Sequence, residues 1–300
     1  MAAQQLGEQL QGSMTDMPVD DLRRWVEAAI PKSSVGVERV LDTVVEAGSR
    51  GIPIRVYRPV QDEALPVLVW FHSGGFAMGS PELGDDICRR LANEVECIIV
   101  SIDYRLAPEH PYPAALEDGL AVYNWVQAAP ELLGPTLDRI GVAGESAGGN
   151  LAMALALKCR DCGLRLPDCQ VSIYGTAEMR ISNPEYGDLP FLTNDDIRWF
   201  WHAYLAEGSS SSDPYVSPAA APDLSGLSPL LVLTAEHDPT RDATEEFARR
   251  VEAAGGEVEL RRYLGVQHGF LGMAAYLAPA REALRDCTAF LQQHLQRASR

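Results

Sequence analysis

Five continuous apolar runs, separated by helical patterns, constrain this chain more than any other feature. They are Val67 to Phe71, Cys97 to Ile102, Ile140 to Ala143, Val171 to Tyr174 and Leu230 to Thr234. A strand apolar on both faces must be covered on both, as happens inside a parallel sheet flanked by helices. Helical patterns occupy 83–95, 114–128, 147–160, 240–254 and 279–296, and Val258 to Tyr263 adds a last strand. This alternation predicts a doubly wound α/β sheet. Upstream, 17–30 reads as an amphipathic helix with Leu22, Trp25, Val26 and Ile30 on one face and Pro31 as its stop. Val40 to Ala47 and Ile52 to Arg58 read as a hairpin turning through Gly48 to Gly51. One insertion, 181–212, breaks the alternation with Pro184, Gly187 and Pro190, a helix over 194–206, and Ser209 to Ser212. Lying beyond the carboxyl end of a strand, it is placed to form a lid.

The chain's 300 residues fit one α/β domain, 1–300. A formal charge of -17 disfavours nucleic acid, whose binding needs clustered basic residues to neutralise phosphates. An anionic membrane surface is disfavoured on the same ground. No run of about 18 apolar residues would span a bilayer. Met1 to Gln11 lacks the charged-then-apolar order of a signal peptide, so cytoplasmic residence is the expectation. Six cysteines without framework spacing read as free thiols. Cys159 and Cys162 have the spacing of a zinc pair, but with only Cys169 nearby the ligand set is incomplete, and no metal is expected.

Gly144-Glu145-Ser146-Ala147-Gly148 has the G-x-S-x-G pattern of a nucleophile elbow. It follows the strand ending at Ala143 and opens a helix containing Leu151, Ala152, Ala154 and Leu155. A tight strand-to-helix corner needs glycine where side chains would clash, and exposes the serine hydroxyl above a helix N-terminus. His72-Ser73-Gly74-Gly75-Phe76 stands directly after the strand 67–71. Paired glycines there can turn backbone N–H groups toward a developing oxyanion. No G-x-G-x-x-G order and no Walker lysine point to a nucleotide.

A serine hydroxyl needs a base to take its proton. Among six histidines, His110, His202 and His294 follow no core strand, and His237 adjoins Asp238 with its side chain directed away. His268, between the last strand and last helix, is best placed, and the order Ser, Asp, His is the one an α/β-hydrolase uses. Asp238 follows the preceding strand and can orient the imidazole; Glu236 and Asp242 compete for that role, although Asp242 opens a helix and suits its dipole.

With these residues in place, the chain resembles the hormone-sensitive-lipase family of bacterial carboxylesterases from about Leu22 onward. The likeness rests on 72–76, Tyr104 to His110, Gly144 to Asn150, Asp213 to Pro218, Ala235 to Asp242 and His268-Gly269-Phe270. It implies the α/β-hydrolase fold, a triad of Ser146, Asp238 and His268, and oxyanion donors at the N–H groups of Gly74, Gly75 and Ala147. It further implies a helical cap formed by about 1–40 and 181–212, no cofactor, and small ester substrates of short to medium acyl length. By analogy a homodimer is expected. Two departures stand out: Ser73 replaces the first of three glycines, and Glu145 occupies a position usually held by Asp or Thr. Phe76, Met78, Phe191, Leu192, Trp201, Leu205 and Phe270 are candidates to line an acyl pocket. The rival functions are an amidase or deacetylase with the same triad, and a non-catalytic small-molecule receptor.

Overall fold

The computed structural model describes residues 17–48, 50–187, 192–205 and 207–296. Along the chain run α1 (Val19–Ala29), β1 (Arg39–Ala47), β2 (Arg50–Arg58), β3 (Leu65–Phe71), α2 (Asp85–Val95), β4 (Ile98–Ile102) and α3 (Ala114–Gln127). Then follow β5 (Thr136–Glu145), α4 (Ala147–Asp161), β6 (Cys169–Ile173), α5 (Asn194–Tyr204), β7 (Leu230–His237), α6 (Arg241–Ala253), β8 (Val258–Gln267) and α7 (Ala278–Leu295). The sheet order is β1-β2-β4-β3-β5-β6-β7-β8. β1 with β2 and β2 with β4 are antiparallel, while every pairing from β4 through β8 is parallel. The parallel core is the one that the alternating apolar runs predict, and the whole sheet has the α/β-hydrolase arrangement that the family resemblance implies.

Side-chain alternation explains why the central runs are apolar throughout. In β3, Leu68 and Trp70 pack with α2 and α7 on one face, while Val67, Val69 and Phe71 pack with α3 and α4 on the other. Leu230 and Val232 of β7 meet α6 and the far side of α4. Two strands run longer than the apolar letters suggest. β5 begins at Thr136, where Asp138 and Arg139 lie outside the core and leave no apolar signature. β8 continues past Gly265 to set Gln267 opposite His237, delivering the next residue to the carboxyl edge of the sheet.

α1 and α5 meet at the loop that follows β3. Leu22, Ala77 and Phe200 form a small apolar cluster with Trp25, Val26, Met78 and Leu192 around it. Arg23 ties α1 down: its guanidinium donates to the carbonyls of Ala77 (2.8 Å) and Ala107 (2.9 Å) and pairs with Glu109 (2.7 Å). α5 opens on a capping box in which Thr193 and Asp196 satisfy each other's backbone N–H groups. Among the described residues, no helix is long and apolar enough to cross a membrane.

Leu155 of α4 is fully buried against α3 and β3, whereas Leu264 of β8 is 68% exposed. Leu155→Ala should lose about 2–5 kcal/mol of stability in urea unfolding, and Leu264→Ala less than about 0.5 kcal/mol.

Candidate active site

The carboxyl edge of the sheet collects the loops after β3, β5, β7 and β8. Ser146, one residue past β5, has φ 53° and ψ -118°, a left-handed-side conformation that a side chain rarely adopts. The glycines around it make that corner possible. A Cβ on Gly144 would sit 2.4 Å from the Gly148 carbonyl, and one on Gly148 would sit 2.1 Å from the Phe71 carbonyl oxygen. The elbow therefore presses directly against the end of β3. The Ser146 N–H donates to the Ile173 carbonyl (2.9 Å), which ties the corner to β6 as well. Asn150, one turn into α4 and fully buried, donates to the carbonyls of Thr176 (2.7 Å) and Val216 (2.9 Å) and so anchors the 213–218 segment.

His268 lies between Ser146 and Asp238. Its Nε2 is 2.8 Å from Ser146 Oγ, and its Nδ1 is 2.7 Å from Asp238 Oδ2. An ionised carboxylate only accepts, so Nδ1 carries the proton and Nε2 is left to accept from the hydroxyl. Asp238 Oδ1 in turn accepts from the Thr240 N–H (2.8 Å) and hydroxyl (2.9 Å). Burial alone would push the Asp238 carboxyl up. The charge of His268, the imidazole bond and the Thr240 donors outweigh it and hold the group below the ordinary carboxylate range.

The competing carboxylates are engaged elsewhere. Glu236 accepts from the Gly265 N–H (2.7 Å), and Asp242 accepts from Asn183 (2.8 Å) and Arg241 (2.7 Å). His237 lies against Tyr186 and 3.7 Å from Glu236, His110 and His202 are exposed, and His294 packs on Phe290. At the cysteine pair, Cys162 is exposed while burial pushes the Cys159 thiol up to about 12, which disfavours the thiolate that metal or redox chemistry needs.

Beside the elbow, Gly74 (φ 122°) and Gly75 (φ 60°) hold conformations reserved for glycine. Among the described residues, the N–H groups of Gly74, Gly75 and Ala147 donate to no protein acceptor. His72 braces this loop from below. It is fully buried, stacked on Tyr104 at 4.1 Å, and donates from Nδ1 to the Ser73 carbonyl (2.7 Å). Burial lowers its pKa to about 4, keeping it neutral. Ser73 serves the loop through its carbonyl, and because its φ is not positive, unlike those of Gly74 and Gly75, its backbone does not require glycine.

The residues expected to line a pocket separate into groups. Phe76 stacks on Tyr204 of α5 at 3.8 Å, and Met78 and Leu192 border the apolar cluster where α1 meets α5. Trp201 and Leu205 are half-buried, Leu205 against the α3–α4 layer. Phe270 belongs instead to the core on the α2–α7 face, fully buried against Tyr174 and Tyr263. Phe191 lies outside the described residues. Sequence reasoning passed over Phe200, whose ring covers Gly75 so closely that a Cβ there would come within 2.3 Å of it.

Residues 68–272 match the family described as the alpha/beta hydrolase fold. The chain is 38% identical over 285 residues to the carboxylic ester hydrolase LipN of Mycobacterium tuberculosis, covering 91% of this chain and 75% of that protein. It is 40% identical over 261 residues to the carboxylesterase NlhH of the same organism, covering 84% and 82% respectively. A solved hyperthermophilic esterase from the archaeon Pyrobaculum calidifontis superposes with a TM-score of 0.89 at 39% identity, over 96% of each chain.

A group whose proton affinity is lowered by folding stabilises the native state above its unfolded value, about pH 4 for aspartate. That contribution disappears as pH falls through the folded value. Asp238→Asn should therefore flatten the acid side of the stability curve, shrinking the difference in Tm between pH 7 and pH 3 measured by calorimetry.

Proposed function

The chain belongs to the alpha/beta hydrolase fold family, and on that premise we propose a serine carboxylesterase that acts on short- to medium-chain esters through an acyl-enzyme. The observation that carries this reading is the unbroken contact chain from Asp238 through His268 to the half-exposed Ser146 hydroxyl. In the first half-reaction Ser146 Oγ attacks the ester carbonyl while His268 Nε2 takes its proton. The carbonyl oxygen becomes an oxyanion, for which the free N–H groups of Gly74, Gly75 and Ala147 are the proposed donors. His268 then returns the proton to the departing alcohol. Water repeats the sequence on the acyl-enzyme, with the acid as product. Every proton moves between groups on the chain, substrate and water, so the chemistry requires no cofactor.

α1 and the 181–212 insertion would act together as the cap over this edge, tethered by Arg23 on one side and by Phe200 and Tyr204 on the other. An ester whose carbonyl oxygen meets the Gly75 N–H must pass its acyl group by Phe200, which makes that ring the proposed wall of the acyl site.

Ser146→Ala should remove p-nitrophenyl butyrate hydrolysis by at least about a thousandfold, with an unchanged circular dichroism spectrum. A fluorophosphonate should add a single label to the parent at Ser146 and none to the variant. Retained turnover in a folded variant would contradict the assignment.

Phe200→Ala should shift preference toward longer chains in a screen of acyl lengths from two to about twelve carbons. The expected gain in kcat/KM for octanoate relative to acetate is about tenfold or more, tenfold being the low end for a single methylene in an apolar pocket.

A further inference from the structure

One buried carboxylate beside His268 takes no part in the proton relay. Glu145 closes β5, opposite Ile173 of β6, and is only 5% exposed. Its Oε1 accepts from the Tyr174 hydroxyl. Tyr174 follows β6 with φ 38°, and its ring lies 5.0 Å from the His268 imidazole and 5.5 Å from Phe270. The Tyr174 ring thus forms a wall along one side of the imidazole, with the Glu145 carboxylate on its hydroxyl, while Asp238 holds Nδ1 at the ring's edge.

The charges around this wall are few. Among the described residues, those acting on Glu145 are Tyr174 at the end of β6 and His268 after β8. Cys88 of α2 and Cys287 of α7 also face it, and burial pushes both thiols up, so they are neutral. His268 is the sole group among these that can become a cation.

We propose that Glu145, held by Tyr174, is a positioning residue for His268, its carboxylate stabilising the imidazolium that forms when Ser146 gives up its proton. The proposal rests on the esterase reading. In the step concerned the Oγ–H bond breaks and the Nε2–H bond forms; Glu145 neither gains nor loses a proton, and acts only through its field. Burial pushes the Glu145 carboxyl up to about 7, against the opposing pull of the Tyr174 bond and the His268 charge. The carboxylate is therefore present above neutrality and is lost as pH falls, over the range in which a histidine base works. If Glu145 served only to satisfy the Tyr174 hydroxyl, removing its charge would leave the pH dependence of catalysis untouched.

The test compares pH profiles of kcat/KM on p-nitrophenyl butyrate for the parent, E145Q, E145D and Y174F. In E145Q the negative charge is gone, so the imidazolium is less supported and the acidic limb should move to lower pH. The plateau rate should fall about three- to tenfold, the effect of about half to one pKa unit of lost support for the imidazolium. E145D should restore the parental limb. Y174F, which keeps the carboxylate but removes the bond favouring its ionised form, should move the limb the same way by less, and it decides the matter should E145Q fail to fold. An imidazole NMR titration of the same substitutions in the S146A background reads the shift without turnover. Superimposable limbs and NMR titrations for E145Q and the parent, or equal shifts for E145Q and E145D, would overturn the proposal. A shifted NMR titration in a parent that hydrolyses no ester would uphold it and count against the esterase reading instead.

Discussion

The approach of α4 to the end of β3 is the constraint on which the rest of the molecule turns. Gly148 lies against the Phe71 and His72 carbonyls with no room for a Cβ, and Gly144 lies equally close to Gly148. That contact sets the serine's corner directly against the start of the loop after β3. The strained backbone at Ser146 costs about 1–3 kcal/mol by itself. It is offset by the helix that follows, whose residues from Ala147 to Leu157 are buried between two layers. A corner exposed at the surface could not be held this way; one driven into the sheet can.

Two buried carboxylates, one bonded to the imidazole and one to its neighbour Tyr174, are driven by their surroundings in opposite directions. Asp238 and Glu145 are both buried, so desolvation raises both. Asp238 receives two donors from Thr240 and one from His268, enough to reverse the effect of burial. Glu145 receives the Tyr174 hydroxyl and a more distant charge, and burial prevails. One group is an anion at neutral pH and fixes the imidazole's tautomer, while the other changes charge near neutrality. The same residue chemistry yields two behaviours because the number of donors differs, not the depth of burial.

The cap is the part of the molecule least legible in its letters. Along α5, Trp201 and Leu205 are four apart, as are Phe200 and Tyr204, so helical spacing admits both as an inner stripe. Packing of Phe200 against Leu22 and Ala77 and of Tyr204 on Phe76 turns this face inward, buries Ile197 with it and leaves Trp201 half-exposed. Phe270 shows the same ambiguity in reverse. Its place beside His268 in sequence suggested a pocket, but the turn after β8 sends it under the sheet into the α2–α7 core.

By sequence alone, the parallel sheet was determined, because only doubly covered strands are apolar at every position. The elbow was equally legible, since Gly144 and Gly148 flank Ser146 at a strand-to-helix corner where nothing larger than hydrogen fits at either glycine. Chain order pointed to His268 and Asp238, but not to their mutual reach, which depends on β8 extending past Gly265 beside β7. Glu145 was visible only as an unusual letter. That it is buried, bonded to Tyr174 and close to the imidazole follows from β5 lying beside β6 beneath the loop after β8. Local patterns encode what each element must be. Which side chains from distant elements share one low-dielectric space is decided only when the sheet closes and its layers pack.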